Sequence, residues 1–490
     1  MREKDYLKQR YAAILSSIGM ILFLSGLVMI TPLFALFVDA GEAAHIPAFA
    51  VPAACLCLVG AGLWRLLRPA STLTLSIREG GIIVVISWAL VIVISAWPFM
   101  AILDMAFSRA VFESMSGWTT TGLSVVDLTR AGPVILLWRS IIQLAGGAGL
   151  AIIMMSAIVG PTGAGISSAE GRGDQLVPHV RRSARLVLMI YIGYALAGTL
   201  AYRLTGMSLF DAVNHSFAAV STGGFGTHPE SIGYWDSVGI EAVSLALMVL
   251  GNLSFVTAWF LFQGEFRMVI RNGEVRLMAV LIPLSTAAVF IFTTRGLYPH
   301  LEKSIRVALF ETVSSLTTTG FSTVSYGNWD AFGVLTLIGL MLIGGGTCST
   351  AGGIKQFRIY LMWRLLVWEV RRALMPANAI LERPVWEADR RVFVDDARVR
   401  QVAVFVFLYL ATYLLGALLL CACGFSLSDS LFEFASAIGT VGISIGVTSA
   451  GMPDIALWAE TFAMFLGRLE FMVVFVSLLN LFRDGRRVLA

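Results

Sequence analysis

Four stretches of this chain repeat one pattern, and that pattern decides the fold. They read FESMSGWTTTGLS at residues 112–124, NHSFAAVSTGGFG at 214–226, FETVSSLTTTGFS at 310–322 and FEFASAIGTVGIS at 432–444. The stretches align without gaps and share a core of Thr-x-Gly, followed by Leu, Phe or Ile and then by Ser or Gly. One Thr-x-Gly carries almost no information, whereas four in register indicate four copies of one structural unit.

Each copy lies between two apolar runs. A helix needs roughly 20 apolar residues to cross a bilayer, so the runs predict about ten spans. The short apolar segment before each Thr-x-Gly has about ten residues, too few to cross, and predicts a re-entrant helix. The runs cover residues 11–38, 47–64, 80–103, 132–160, 186–202, 237–263, 277–294, 331–363, 401–424 and 455–482.

The composition also indicates a membrane protein. Of the 490 residues, 57% are hydrophobic and 13% are charged, against about 25% charged in ordinary soluble domains. So few charges cannot cover a soluble surface, which excludes a secreted disulfide scaffold, a nucleic-acid binder and a disordered protein. The five cysteines show no zinc spacing and are expected to be small core residues in a reducing context.

The lysines and arginines orient the chain. All their clusters fall on one side of the membrane if both termini are cytoplasmic, as the positive-inside rule requires. The first apolar run is too long for a signal-peptide core and is taken as a span. The clusters lie in residues 1–10, 65–68, 172–185, 267–276, 364–400 and 483–487.

A second repeated feature fixes the alignment of the four units. In each unit a glycine recurs in the helix that follows the Thr-x-Gly loop, at Gly146, Gly251, Gly344 and Gly467. We call these the echo glycines. Residues 365–400 are expected to form a cytoplasmic connector, either a helical hairpin or a docking surface. The predicted units are an N-terminal two-helix hairpin (1–70), repeat 1 (71–170), repeat 2 (171–270), repeat 3 (271–364), the connector (365–400) and repeat 4 (401–490).

The repeated loops predict an ion filter. Irregular backbone survives at membrane depth only where it lines a cavity, and glycine permits the positive φ that turns successive carbonyls toward one axis. A ring of neutral oxygens replaces the hydration shell of a monovalent cation, and the C-terminal ends of the re-entrant helices favour a cation as well. A divalent filter would be expected to carry carboxylates, and none falls within the loops. The alternative is that Gly and Thr serve only close helix packing.

The four loops, the glycine-rich stretch at 344–355 and the downstream Arg468 resemble the Trk/Ktr/HKT superfamily of potassium transporters. The N-terminal hairpin makes the prokaryotic TrkH-type transmembrane subunit the closest match. The resemblance implies an all-α integral membrane fold with four M1–P–M2 repeats around one pore, usually as a homodimer. It also implies K⁺ as the transported ion, no organic cofactor in this chain, and a cytosolic, nucleotide-binding TrkA-type ring as partner.

The resemblance assigns the selectivity filter by position. In the superfamily, Gly at the last filter position of every repeat accompanies potassium selectivity and Ser in the first repeat accompanies sodium transport, so Gly122 predicts potassium. Fewer oxygen rings than in a Thr-Val-Gly-Tyr-Gly loop predict weaker discrimination against Rb⁺ and Na⁺. The filter residues are Thr120, Thr121, Gly122, Thr222, Gly223, Gly224, Thr318, Thr319, Gly320, Thr440, Val441 and Gly442, with K⁺ at Thr120, Thr222, Thr318 and Thr440.

The glycine-rich stretch interrupts the second helix of repeat 3, since five glycines in ten residues break a helix. Its spacing is wrong for a phosphate loop. The resemblance implies an intramembrane gate loop below the filter, and a packing kink is the alternative. The gate residues are Gly344, Gly345, Gly346, Thr347, Cys348, Ser349, Thr350, Gly352, Gly353, Lys355 and Arg468.

Charged residues inside the apolar runs are expected to have partners or a function. Arg468 is expected to face the pore and contact the gate loop, with a structural link to Glu470 as the alternative, and Lys355 is expected to help latch that loop. Asp127 is expected in the outer vestibule and His215 in a structural role. Glu113, Glu311 and Glu433 recur at one re-entrant-helix position, with Asn214 in repeat 2, and are expected to accept hydrogen bonds from nearby backbone or hydroxyl groups rather than to concentrate cations.

The leading functional hypothesis is potassium uptake across the inner membrane through a gated pore. The membrane potential supplies about 2.3 kcal/mol per charge per 100 mV, so no chemical fuel is required in this chain. A symporter that couples K⁺ to H⁺ or Na⁺ stays open, because broken helices also mark such carriers. An intramembrane enzyme would need a catalytic set inside the spans, and the sequence shows neither His-Glu-x-x-His nor a Ser/Lys set.

Overall fold

The computed structural model describes residues 3–67, 77–149, 180–376, 382, 384–387 and 390–489. The part of the fourth predicted span from 150 to 160 lies outside these residues, as do the boundaries predicted at 70 and 170. Within these residues the chain is mostly helical, with two short strands.

The N-terminal hairpin consists of two antiparallel helices, α1 (Glu3–Ile30) and α2 (Ile46–Leu66), joined by two 3₁₀ turns. The two helices pack closely because glycines face each other. A Cβ on Gly60 would lie 2.5 Å from the backbone nitrogen of Phe23. Small residues permit such close approach of membrane helices. The hairpin packs against repeat 1.

The remaining helices fall into the four predicted repeats. Repeat 1 comprises α3 (Ile77–Ser95), α4 (Trp97–Leu103), α5 (Phe107–Trp118) and α6 (Pro133–Ala148). Repeat 2 comprises α7 (Val180–Leu204), α8 (Leu209–Val220), α9 (Val238–Asn252), α10 (Phe255–Phe262) and α11 (Phe266–Arg271). Repeat 3 comprises α12 (Gly273–Val289), α13 (Arg295–Leu297), α14 (Leu301–Leu316), α15 (Ala331–Ile343) and α16 (Gln356–Ala373). Repeat 4 comprises α17 (Asp396–Ala422), α18 (Leu427–Gly439), α19 (Asp454–Leu469) and α20 (Phe471–Leu489).

The short helices α5, α8, α14 and α18 end at the four Thr-x-Gly loops, and we call them pore helices 1 to 4. Two of them begin at a capping serine. Ser208 accepts a hydrogen bond from the Asp211 amide, and Ser426 accepts one from the Asp429 amide. A serine at this position satisfies an otherwise unpaired N–H, and the acidic residue in the first turn complements the helix dipole.

The repeats close into a ring in chain order. Each second helix (α6, α9, α15 and α19) packs on its own pore helix and on the pore helix of the next repeat, and α19 of repeat 4 returns to α5 of repeat 1. The pore helices are buried along their C-terminal halves. This arrangement directs all four pore-helix C-termini toward one centre.

The second helices differ in continuity. In repeat 3 the helix ends at Ile343 and resumes at Gln356, as the glycine-rich stretch predicts. Repeats 2 and 4 also break, by 115° between α9 and α10 and by 99° between α19 and α20, where the sequence predicted continuous runs. Ser254 caps α10 by accepting from the Thr257 amide, and Glu470 has a φ of +63°, so both bends have a local cause.

Within the described residues, the apolar helices account for the predicted spans. Six are long and apolar enough to cross a membrane, and two bent pairs pass the same test together. Two shorter apolar helices, Pro133–Gly147 and Ala331–Ile343, belong to the second helices of repeats 1 and 3. The prediction of an all-α membrane fold is therefore confirmed.

The connector differs from the expected helical hairpin. α16 extends to Ala373, and two short antiparallel strands follow, β1 (Pro384–Glu387) and β2 (Arg390–Phe393), with Val385 opposite Val392. Val385 is buried against Trp368 of α16. The β-branched residues in these short segments favour paired strands over helix.

Candidate ion-conducting site

The four filter threonines share one unusual backbone conformation. Thr120, Thr222, Thr318 and Thr440 have φ values of +56°, +51°, +52° and +50°. A positive φ is uncommon for any residue other than glycine and costs free energy at a β-branched one. Four identical outliers at equivalent positions show that the surrounding structure imposes the same turn in each repeat.

The residue after each threonine donates its amide back into its own pore helix. The acceptors are carbonyls, and the N–H···O distances run from 2.8 to 3.0 Å. The amides are thereby satisfied within the repeat, and the loop carbonyls are left for other partners. The pairs are Thr121 to Ser116, Gly223 to Ala218, Thr319 to Ser314, and Val441 to Ser436.

The last filter position shows that the four loops surround one axis. The glycines have φ values from +74° to +97°, and a Cβ on each would overlap a backbone carbonyl of the next repeat. These contacts run in chain order and close from repeat 4 to repeat 1. The pairs are Gly122 with Gly223, Gly224 with Thr319, Gly320 with Val441, and Gly442 with Thr121.

Two filter hydroxyls have no protein partner. The Oγ1 atoms of Thr120 and Thr440 are buried and without a hydrogen bond. A buried polar atom left unpaired is costly, and a bound cation or water would satisfy it. The described residues contain no group of three or more His, Cys, Asp or Glu that could hold a metal ion. The site therefore offers neutral oxygens, which suit a monovalent cation.

The pore-helix glutamates hold the segment that follows each filter. Glu113 accepts hydrogen bonds from the Ser124 hydroxyl (3.0 Å) and the Val125 amide (3.0 Å). Glu311 accepts two from Thr323, both at 2.8 Å, and one from the Tyr326 hydroxyl.

In repeats 4 and 2 the side chain at the same pore-helix position also accepts hydrogen bonds. Glu433 accepts hydrogen bonds from the Ser444 hydroxyl (2.6 Å) and from two amides of the following segment. Asn214 instead accepts from the Ser140 hydroxyl, at 2.6 Å. All four side chains are fully buried, so these residues are hydrogen-bond acceptors rather than exposed charges in the pore.

Arg139 on α6 belongs to the same scaffold, and the sequence reasoning missed it. Its Nε donates to Glu113 (2.9 Å), one terminal nitrogen donates to the Gly226 carbonyl (3.0 Å), and its guanidinium lies 3.9 Å from the Phe225 ring centroid. The side chain is only 2% exposed. It ties the segment behind filter 1 to the segment behind filter 2. A lone arginine in the apolar run 132–160 was the available signal.

The glycine-rich stretch, residues 344–355, lies directly against the filter, and we call it the gate loop. The Gly352 amide donates to Thr318 Oγ1 (2.8 Å), and Thr222 Oγ1 donates to Thr350 Oγ1 (3.1 Å). A Cβ on Gly352 would overlap the Thr440 hydroxyl. The loop therefore contacts the filter threonines of three repeats.

Repeat 2 and the start of repeat 3 anchor the gate loop from the side. The Gly346 amide donates to the backbone and side-chain oxygens of Asn252, both at 3.2 Å, and the Thr347 amide donates to Glu274 at 2.7 Å. Asn252 and Glu274 are buried. Neither residue was singled out from the sequence, because the contacts join segments that are far apart in the chain.

Arg468 bridges the gate loop and repeat 1. Its guanidinium donates to the carbonyls of Thr350 (2.5 Å), Gly146 (2.7 Å) and Gly147 (3.2 Å). These contacts fit the expected approach of Arg468 to the gate loop. The Lys355 ammonium donates to the carbonyl of Ala351 within the loop.

Glu470, the alternative partner considered for Arg468, pairs with another arginine. Its carboxylate accepts from Arg358 on α16 at 2.7 Å. The Arg358 guanidinium also lies 3.8 Å from the Phe405 ring centroid. Arg358 follows the gate loop and Glu470 marks the bend of repeat 4, so the pair ties the two breaks together.

Two further predicted residues lie next to the filters in the chain, one after filter 1 and one before filter 2. Asp127 is in the loop after filter 1, where hydrogen bonds from the Thr129 hydroxyl and amide lower the pKa of its carboxyl below the usual range. It therefore stays anionic. His215 is buried among Tyr202, Trp235 and Phe321, in keeping with a structural role.

Four helical repeats whose loops close into one ring define the class, an all-α integral membrane protein. The chain belongs to the TrkH family of cation transport proteins, which matches residues 45–484. Members of this family and the relatives below are transporters rather than enzymes.

Several characterised proteins are similar to this chain along nearly its whole length. The Trk system potassium uptake protein TrkG of Escherichia coli is 32% identical, covering 85% of this chain and 88% of its own. The E. coli protein TrkH is 30% identical, covering 95% and 98%. The crystal structure of the potassium transporter TrkH from Vibrio parahaemolyticus superposes with a TM-score of 0.82 at 27% identity, covering 96% of this chain and 98% of that one.

Proposed function

We propose that this protein takes up K⁺ through a gated pore whose selectivity filter is the ring of four Thr-x-Gly loops. The observation that carries the proposal is the cyclic contact between each filter glycine and the carbonyl of the next repeat. A ring of neutral carbonyl and hydroxyl oxygens replaces the hydration shell of a monovalent ion. The relatives named for potassium uptake support K⁺ as that ion.

The membrane potential drives the flux in this proposal. The geometry that the four loops share offers an ion one route along one axis, and the potential supplies about 2.3 kcal/mol per charge per 100 mV. The described filter and gate loop hold no carboxylate that would have to take up a proton with each K⁺. Uptake along the electrical gradient therefore requires no second ion.

The gate loop closes this pore. Its contacts with the filter threonines of three repeats obstruct the axis, and Arg468 holds it through the Thr350 carbonyl. A guanidinium near the axis also repels a cation. Opening requires the loop to leave the filter, and glycines at both ends of the loop give its backbone the freedom to do so.

The assembly is also part of the proposal. We propose a homodimer in the inner membrane with both termini cytoplasmic, regulated by a cytosolic nucleotide-binding ring of the TrkA type. The basic connector on α16 and the β-hairpin that follows would provide a docking surface on the cytoplasmic side. The positive-inside pattern supports that orientation.

The test is ⁸⁶Rb⁺ uptake into proteoliposomes under a fixed K⁺ gradient, with no pH or Na⁺ gradient, for the wild type and for Gly122→Ser. We expect uptake set by the potential alone. The variant should conduct less Rb⁺ and relatively more Na⁺, because the new side chain enters the ring at the Gly223 carbonyl.

Gly339→Ser is the matched control, since it places the same side chain on α15 with nothing within 4 Å of the new Cβ. It should behave as the wild type. Uptake that occurs only with an imposed H⁺ or Na⁺ gradient would instead identify a coupled symporter. Equal Na⁺ permeation in the wild type and Gly122→Ser would contradict the filter assignment.

A further inference from the structure

Repeats 1 and 4 differ at one buried position of the second helix. Arg139 and Glu460 each lie seven residues before the echo glycine of their repeat, Gly146 and Gly467. Arg139 pairs with the pore-helix glutamate of repeat 1. Repeat 4 therefore has two acids where repeat 1 has an acid and a base.

The two acids of repeat 4 meet at one threonine. The Thr448 amide donates to Glu433 at 3.0 Å, and the Thr448 hydroxyl donates to Glu460 at 3.0 Å. Both glutamate side chains are fully buried. The other carboxylate oxygen of Glu460, Oε1, is buried with no hydrogen-bond partner.

No base compensates this pair within the described residues, because neither glutamate takes part in an ion pair there. Polar side chains on the neighbouring helices have other partners. Arg109 donates to the Ala450 carbonyl, and Tyr413 donates to the Leu431 carbonyl. Arg468 lies on the same helix as Glu460 but donates to the carbonyls of Thr350, Gly146 and Gly147. The charged residues of α17 lie in its first turns, at Asp396, Arg398 and Arg400. Further titratable groups on the packed helices and on the adjacent loop of repeat 3 include Glu113, Glu311, Tyr326, Tyr409, Asp429 and Asp454.

Two ionised carboxylates cannot be buried side by side without a counter-charge. An isolated buried carboxylate costs far more than its protonated form, and a like charge nearby raises that cost. Glu433 accepts three hydrogen bonds, from Ser444, Ile445 and Thr448, whereas Glu460 accepts one. The negative charge is therefore better stabilised on Glu433, and the proton belongs on Glu460.

We propose that Glu433 and Glu460 form a proton-binding site behind the fourth filter, in which Glu460 is protonated at neutral pH. The pair holds the segment from Ser444 to Thr448 through hydrogen bonds, so the proton stabilises the fourth wall of the pore. This site is separate from the filter and does not depend on which cation the pore conducts.

The proton makes stability depend on pH in a defined direction. The folded state binds a proton that the unfolded state releases above about pH 4.3, the usual value for glutamate. The folded state binds more protons than the unfolded one, so stability falls as pH rises. The folding equilibrium should shift by at most about tenfold per pH unit from this one proton.

The experiment is infrared difference spectroscopy on the purified full-length protein, together with thermal unfolding across neutral and alkaline pH. We expect a C=O stretching band of a protonated carboxyl group at neutral pH, which E460Q removes. E460Q should also lose the alkaline decline of the unfolding temperature, because glutamine stays neutral. Glu302→Gln, at an exposed carboxylate, is the control and should keep both features.

Each other outcome overturns the proposal. Absence of the band in the wild type at neutral pH, or its survival in E460Q, would mean that Glu460 is ionised. Restoration of alkaline stability by K⁺, Na⁺ or Mg²⁺ would mean that the pair holds a metal cation instead of a proton. Should E460Q fail to fold, Glu460→Asp, which keeps a carboxyl group at this position, decides the question. The band should shift in frequency if it belongs to Glu460, and an unchanged band would assign it to another buried carboxyl group, such as Glu311.

Discussion

The filter loops of the four repeats have the same geometry, whereas the second helices do not. The loops are nearly identical: the four filter threonines share a φ near +50°, and each filter glycine meets the next repeat in the same way. The second helices, as far as the structure describes them, are not alike. Those of repeats 2 and 4 bend, and that of repeat 3 is opened by the gate loop.

In the proposed function, this contrast reflects two different tasks. A ring that coordinates an ion on its axis needs equal oxygens from all sides, and this keeps the four loops alike. A gate needs one element that can leave the axis while the others hold, and this requires asymmetry. Changes behind the filter should therefore alter stability and selectivity, whereas changes at the gate should alter the rate alone.

The largest effect is expected behind the filter, at Arg139→Gln. The variant leaves the Glu113 carboxylate buried without its cation, which costs about 3–5 kcal/mol. The unfolding temperature in detergent should fall sharply, and the K⁺ over Na⁺ preference should weaken, because Glu113 holds the segment after filter 1. The exposed Arg295→Gln serves as control. An unchanged unfolding temperature in Arg139→Gln would contradict the claim that the residues behind the filter stabilise the protein.

The next effect is expected at the gate, at Arg468→Gln. Its guanidinium makes three hydrogen bonds to carbonyls, and a single charge-assisted bond contributes about 1.5–3 kcal/mol. Loss of the contact with Thr350 should release the gate loop and raise basal Rb⁺ flux about tenfold. The ratio of K⁺ to Na⁺ permeability should stay constant. A change in that ratio would show that the gate loop also affects the selectivity of the filter.

A smaller effect is expected from the ion pair that joins the two breaks. Arg358→Gln and Glu470→Gln should each raise flux a few-fold, because the pair is partly exposed and contributes about 1 kcal/mol. The double variant should equal either single one, since both changes remove the same contact. Fully additive effects in a flux assay would show that the two residues act separately.

The smallest effect is expected at Asp127→Asn, in the loop after filter 1. The lost charge should lower the flux slightly at low ionic strength, because an anionic vestibule concentrates cations. The difference should vanish at high salt, where exposed charges are screened within about 3 Å at 1 M. A deficit that persists at high salt would mean that Asp127 acts on the filter itself.

The sequence predicted those parts of the site that repeat. Four aligned loops predict a ring without knowledge of any contact, and the packed structure agrees, down to the glycine at each last position. The break at the gate loop was predictable too, since five glycines in ten residues do not stay helical.

The sequence could not predict the parts that occur once. The pairing of Glu470, at the bend of repeat 4, with Arg358 joins residues more than 100 positions apart. The ion pair of Arg139 with Glu113 and the hold of Glu274 on Thr347 also join distant segments. Such contacts follow from the packing of the repeats and leave no local pattern.

The most direct test of the central claim is the reversal potential of single-glycine variants in planar bilayers. Gly122→Ser, Gly224→Ser, Gly320→Ser and Gly442→Ser each place a side chain on the carbonyl of the next repeat. If the four loops form one ring, all four variants should lower the ratio of K⁺ to Na⁺ permeability, and Gly339→Ser should not. A ratio that is unchanged in any of the four would contradict the ring.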